Sequence, residues 1–253
     1  MSLEVHILAS GSDGNCTVIE SDGEAIMIDA GISCRKILAQ MEREGVDKEC
    51  VKAILITHEH SDHVSGAGAT ARKLGVPVMC NEETFSQLSL GSVDFVPFDP
   101  SGSFDVGGFH VTPLPTMHNA VRPNAFYAQA GGRSALVATD TGTVTFPIEA
   151  ALKAADIAVI EANYDSRMLV DGPYPPVLKR LIGSDHGHLC NVDTGNAIRR
   201  TMSDSRRQIF LAHLSKTNNV PDLARQTVAD ITGIRRMAID CLEFPGDSRT
   251  LRA

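Results

Sequence analysis

Ile54-Leu55-Ile56-Thr57-His58-Glu59-His60-Ser61-Asp62-His63 gathers three imidazoles and the Asp62 carboxylate just where an apolar run ends. Read as a strand over Ala53–Thr57, the run delivers these side chains to a strand end. Alternation in an extended chain puts His58 and His60 on one side. A turn into a helix that follows Ser61 and runs toward Leu74 brings Asp62 and His63 round beside them, so two adjacent metals can be served. Imidazole and carboxylate donors suit zinc, manganese or iron(II), and the segment holds no cysteine to make a thiolate site. A solvated histidine-rich loop is the alternative. Three residues at other strand ends weigh against it: His118 after Phe109–Leu114, Asp140 after Ser134–Thr139, and His213 after Gln208–Ala212. Together these make seven ligands, a set suited to two metals bridged by one carboxylate.

Working outward, short β-rich runs fill the first third, at Val5–Ala9, Thr17–Glu20 and Ala25–Ile28, broken by glycine-containing turns. Ser33 can cap a helix that carries Ile37, Leu38 and Met41 on one face and stops at Gly45. Further strands are expected at Val76–Cys80, Ala125–Gln129, Ile157–Ile160 and Met237–Ile239, with Gly131-Gly132 as a hairpin turn. Helices are expected near Pro147–Ala155, Pro175–Ile182, Val192–Met202 and Pro221–Ile231. No linker, repeat or low-complexity segment divides the chain, so residues 1–253 read as one domain. Its fold class is α/β, a four-layer αββα sandwich of two packed mixed sheets flanked by helices.

Composition narrows the function. The 253 residues carry 23 Lys+Arg against 31 Asp+Glu, for a formal charge of −8, with 43% hydrophobic and 21% charged residues. These are globular values and exclude collagen-like or disordered chains. No stretch reaches the roughly 18 apolar residues of a spanning helix, so no membrane partner is expected. The N-terminus lacks the basic and apolar regions of a secretory signal, and the six cysteines are scattered singly. The expectation is a reduced, cytoplasmic protein. Paired basic residues occur at Lys179-Arg180, Arg199-Arg200, Arg206-Arg207 and Arg235-Arg236. They read as helical surface charge unless several line one groove.

The pattern THEHSDH with His118, Asp140 and His213 resembles the metallo-β-lactamase superfamily of metallohydrolases. The resemblance implies one metal held by His58, His60 and His118, a second by Asp62, His63 and His213, and Asp140 bridging them. Asp29, closing Ile26-Met27-Ile28, matches the family's first motif and implies a role orienting ligands by hydrogen bonds. Four segments resemble the YycJ/WalJ subfamily: Leu8–Asn15, Ile28–Ser33, Gly187-His188-Leu189-Cys190-Asn191, and His213–Asn219. Cys190 stands where that subfamily usually has Ser.

This resemblance implies a dinuclear phosphodiesterase acting on DNA, a 5′→3′ exonuclease that uses a metal-bridging hydroxide. Zn²⁺ is the first expectation for its two divalent ions, with Mn²⁺ or Fe²⁺ also accepted. Asp62 is the candidate to hold the attacking water and His188 the candidate acid for the leaving 3′-oxygen. His188 reads alternatively as a helix-start residue satisfied by backbone. Substrate contacts are expected from Ser10, Ser12 and Asn15 in a glycine-rich loop, from His186 and Asn191, and from Asn218 and Asn219. A tight hairpin and helix capping are the alternatives for the loop and the paired asparagines. A thioester or small-ester hydrolase of the glyoxalase II kind is the competing reading.

Overall fold

The computed structural model describes residues 2–202, 207–244 and 246–253. The first half of the chain supplies β1 (Leu3–Ala9), β2 (Cys16–Ser21), β3 (Glu24–Ile28), β4 (Val51–Leu55), β5 (Val78–Cys80) and β6 (Phe95–Pro97). The second half supplies β7 (Phe104–Val106), β8 (Phe109–Pro115), β9 (Asn124–Ala130), β10 (Arg133–Ala138), β11 (Ile157–Glu161), β12 (Gln208–Ala212) and β13 (Ile239–Asp240), and the chain ends in β14 (Arg249–Arg252). One sheet has the order β14-β1-β2-β3-β4-β5-β6 and the other β13-β12-β11-β10-β9-β8-β7. Each is antiparallel at one end and parallel at the other, so both are mixed.

Alternation along the parallel strands of the second sheet sets the layers. Ala135, Val137, Ile157, Val159, Phe210 and Ala212 pack toward the first sheet, in a cluster with Val5, Ile7, Ile26 and Leu55. Their neighbours Leu136, Ala138, Ala158, Ile160, Ile209 and Leu211 belong to a separate cluster with helical residues. These come from α5 (Phe146–Ala154), α8 (Asn191–Arg200) and α9 (Pro221–Thr232). Strands covered on both faces need no polar side, which explains the unbroken apolar run of β11. On the far side of the first sheet lie α1 (Cys34–Glu44) and α3 (Ala67–Leu74), burying Ile37, Met41, Ala67 and Ala71. The result is the expected four-layer α/β sandwich.

Several boundaries differ from the sequence reading. β4 ends at Leu55 because the next side chains turn to the site: Thr57 N–H donates to Asp29 Oδ1 at 2.9 Å instead of joining a ladder. The helix expected from Ser61 to Leu74 is two, α2 (Ser61–Val64) and α3. Between them Gly66 N–H donates to Ala30 O, and a Cβ there would lie 1.9 Å from Ile32 O. Ser33 precedes α1 without a side-chain capping bond; Gly45 closes that helix at φ 77°. The strand placed at Met237–Ile239 begins only at Ile239, after a 3₁₀ turn. The strands β6, β7 and β14 and the helices α4 (Glu82–Phe85) and α6 (Ser166–Asp171) were not anticipated; α7 (Pro176–Ile182) was.

Candidate metal centre

The site lies along one rim, where the loops leaving β3, β4, β8, β10, β11 and β12 converge. These are carboxyl ends of strands, where open α/β sheets leave a crevice. Three rim residues hold left-handed backbone without being glycine: Asp29 (φ 59°), Asp140 (φ 56°) and His213 (φ 57°). Such conformations are sustained only where the surroundings fix them. Asp29 N–H donates to Leu55 O, and His213 N–H to Ser10 Oγ at 2.7 Å.

His58, His60 and His118 bring one nitrogen each into a single cluster, and Asp62, His63 and His213 form a second. Asp140 sits between them. Its Oδ2 is 3.1 Å from His63 Nε2 and its Oδ1 3.6 Å from His118 Nε2. Asp62 Oδ2 lies 3.4 Å from the Nε2 atoms of both His63 and His213.

The opposite nitrogens show what aims these rings. His63 Nδ1–H donates to Asp29 Oδ2 at 2.7 Å, His118 Nδ1–H to Gly187 O at 2.9 Å, and His213 Nδ1–H to Glu161 Oε1 at 2.9 Å. The Thr57 hydroxyl donates to Asp29, so at 3.0 Å it accepts from His58 Nδ1–H. Each acceptor fixes one tautomer and turns Nε2 inward, as ligand-orienting partners do. Asp29 therefore positions one ring of each cluster. His58 Nε2 is buried without a hydrogen-bond partner, and burial pushes its imidazole well below the ordinary value into the neutral, ligating form. A divalent cation fits this all-nitrogen-and-oxygen donor set.

Glu161 is the residue that sequence reasoning missed. It ends β11, is fully buried, and accepts from His188 Nδ1 at 2.7 Å as well as from His213. Backbone N–H groups of Thr141 (2.9 Å) and Leu189 (3.3 Å) complete its shell. Burial alone would raise its carboxyl, yet His188 and His213 hold it below the usual range. Burial likewise works against a charged His188, and Glu161 outweighs it, raising the imidazole above its ordinary value. Asp140 is held well below its ordinary value against burial by His213 and His63. The only sequence signal for Glu161 was a carboxylate closing an apolar strand.

The family model described as Beta-lactamase superfamily domain matches residues 24–214. Exodeoxyribonuclease YycJ of Bacillus anthracis is 36% identical over 237 residues, 91% of this chain and 89% of that protein. Exodeoxyribonuclease WalJ of Streptococcus pneumoniae serotype 2 is 37% identical over 231 residues, covering 88% and 86%. The chain is a YycJ/WalJ-like member of the beta-lactamase superfamily. As such it is a metal-dependent hydrolase. Among solved structures, the metallo-beta-lactamase fold protein YhfI of Bacillus subtilis superposes with a TM-score of 0.77 at 16% identity, each chain covered fully, which speaks to fold alone.

In this YycJ/WalJ-like chain the residues expected to meet substrate divide. Ser12 and His186 line the pocket of about 240 Å³ over the candidate metal centre, with Leu178, Leu181, Asn119 and His188. Asn15 is buried against the candidate ligands, its Nδ2 3.1 Å from His63 Nε2. Ser10 faces away from the pocket and holds His213. The structure does not bring Asn191, Asn218 or Asn219 to the pocket. Asn191 and Asn219 bond each other at 3.0 and 2.8 Å, and Asn219 Nδ2 also donates to Ala162 O. Asn218 is fully buried beside α6, near Gly172. Cys190 precedes α8, and its sulfur takes the Asp193 N–H at 3.4 Å, capping that helix.

The described members of the basic pairs stay outside as well. Among the described residues no Lys or Arg lines the pocket. Arg200 pairs with Glu149, Arg236 with Asp222, and Lys179 donates to Val170 O. Arg207 donates to Thr201 O, while Arg206 lies outside the described residues. No helix among the described residues is long and apolar enough to cross a membrane.

Proposed function

We propose that the chain is a dinuclear phosphodiesterase that degrades DNA as a 5′→3′ exonuclease. Convergence of the inward-turned nitrogens on Asp140, with every outer nitrogen of His58, His63, His118 and His213 held by an acceptor, is the observation that carries this reading. The exodeoxyribonuclease relatives support the choice of substrate. His58, His60 and His118 would hold one divalent cation, Asp62, His63 and His213 the other, and Asp140 would serve both. Zn²⁺ is the first candidate, then Mn²⁺ or Fe²⁺. Bound there, such a pair supplies Lewis-acid charge for the phosphoryl oxygens and acidifies the attacking water.

The chain's own groups do the rest. Asp62, half its carboxylate free of the ligand contacts, orients the water by accepting its proton in a hydrogen bond. His188, its Nδ1 engaged by Glu161, keeps Nε2 as the nitrogen that gives a proton to the leaving 3′-oxygen. Leu178, Leu181 and Ile182 wall one side and limit water around the scissile bond.

Purified protein loaded with Mn²⁺ or Zn²⁺ is expected to hydrolyse bis-p-nitrophenyl phosphate and to shorten 5′-phosphorylated DNA from that end. H188A is expected to lower kcat by about 10²–10⁴-fold with metal content retained. Turnover of S-lactoylglutathione far above that of either phosphodiester would contradict the proposal and favour the thioesterase.

A further inference from the structure

A second cleft, of about 660 Å³, adjoins the metal pocket and shares with it the loop Ser10–Gly14. Ser12 faces the pocket; Ser10, Gly11, Asp13 and Gly14 face the cleft. On the other side Leu214, Ser215 and Lys216, directly after His213, form its wall. Its size lies within the range of about 300–1,000 Å³ typical of ligand-binding clefts. Nothing in the proposed chemistry uses it.

The lining is apolar with cations at the edge. Leu8, Ile32, Ala39, Leu214, Val220 and Phe244 contribute apolar surface, and the Phe244 ring is 62% exposed. Lys36, Arg43 and Lys216 supply positive charge. The three carboxylates present are each compensated: Asp13 pairs with Lys216, Glu243 with Arg225, and Asp247 accepts from the Ser248 and Glu243 amides beside Arg43. Lys36 has no acidic partner among the described residues. Glycine keeps the shared loop low. Gly14 has φ 152°, and a Cβ there would lie 2.4 Å from Ile32 Cγ2. The amides of Ser12 and Asp13, at the crest, meet no acceptor among the described residues.

We propose that this cleft seats the unpaired nucleotides that continue from the scissile phosphate, the strand crossing the Ser12–Asp13 crest between the two. The inference rests on the phosphodiesterase reading. Bases lie on the apolar floor with Phe244 as a stacking ring, and Lys36 and the crest amides meet phosphates. A duplex would present only its charged backbone to a floor nearly free of net charge, so the cleft selects a single strand.

Fluorescence anisotropy of the metal-loaded full chain with labelled phosphorothioate strands, which resist cleavage, tests this. Affinity is expected to rise about tenfold or more from dinucleotide to octanucleotide, in line with stacking of about 1–3 kcal/mol per base. A39W, which fills the cleft from an exposed position on α1, and K36E each cancel most of that gain. K73E, the same charge change on α3, does not. Equal affinity for both lengths, or loss of equal size in K36E and K73E, would overturn the cleft assignment. Failure of the metal-loaded wild type to cleave bis-p-nitrophenyl phosphate would instead strike the phosphodiesterase reading, and the binding series would still judge the cleft.

Discussion

Exchanging Glu161 for Gln removes the charge that ties His188 to His213 while keeping the shape. Outer partners of this kind are worth about 10–100-fold in activity or metal affinity, and E161Q is expected to fall in that range. Its pH profile carries the sharper signature. Glu161 raises His188 above its ordinary value, so the protonated acid persists to higher pH and activity declines as pH climbs through the raised value. Without the carboxylate the alkaline limb of kcat is expected to move to lower pH, measurable with bis-p-nitrophenyl phosphate; an unmoved limb would exclude His188 as the acid. Seven proposed ligands were legible because imidazoles and aspartates stand out where apolar strands end. Glu161 was not, since its partners are 27 and 52 positions away. The two asparagines after His213 show the same limit: Asn219 has its amide taken up by Ala162 O and Asn191, and Asn218 is buried with no hydrogen-bond partner for its side chain among the described residues, arrangements that depend on distant parts of the chain.

At the scale of elements, backbone packing rather than side-chain chemistry sets the rim. Gly31 follows β3 at a point where a Cβ would lie 1.7 Å from Asp62 O, so G31A must separate the β3 loop from α2. Overpacking of this kind costs about 3 kcal/mol, a fall of roughly 6–12 °C in Tm, with metal content dropping in parallel. A second junction closes the first sheet. Glu44 on α1 accepts from Ser248 Oγ and Thr250 Oγ1, and Thr250 meets His6 Nδ1 at 2.8 Å, holding β14 against β1. Burial works against the Glu44 charge, but the two hydroxyls lower its pKa below the ordinary 4.5. Its contribution to stability is therefore complete above pH 4.5 and is lost as pH falls through the lower folded value. Urea midpoints of wild type and E44Q should differ at neutral pH and converge in acid. Where periodicity was long enough it gave the element type, but the short β6, β7, α4 and α6 escaped it, as did β14, a four-residue edge strand that earns its place by pairing with the far end of the chain.

Across the whole molecule the two sheets meet at the proposed metal centre. His58, His60, Asp62 and His63 follow a strand of the first sheet, and His118, Asp140 and His213 follow strands of the second. Cations held there would tie the layers together, so chelation is expected to lower Tm. Bound metal at 1,000 times its Kd contributes about 4 kcal/mol. In the metal-free chain Asp140, Asp62 and Glu161 outweigh burial and raise His213 to about 10, so metal must displace a proton and its affinity should weaken as pH falls. Titrating chelator-stripped protein with Zn²⁺ or Mn²⁺, while following bound ions per chain and phosphodiester turnover together, tests the central claim most directly. Two ions per chain are expected, with turnover appearing as the second is taken up; full turnover at one ion, or none bound at saturation, would contradict it.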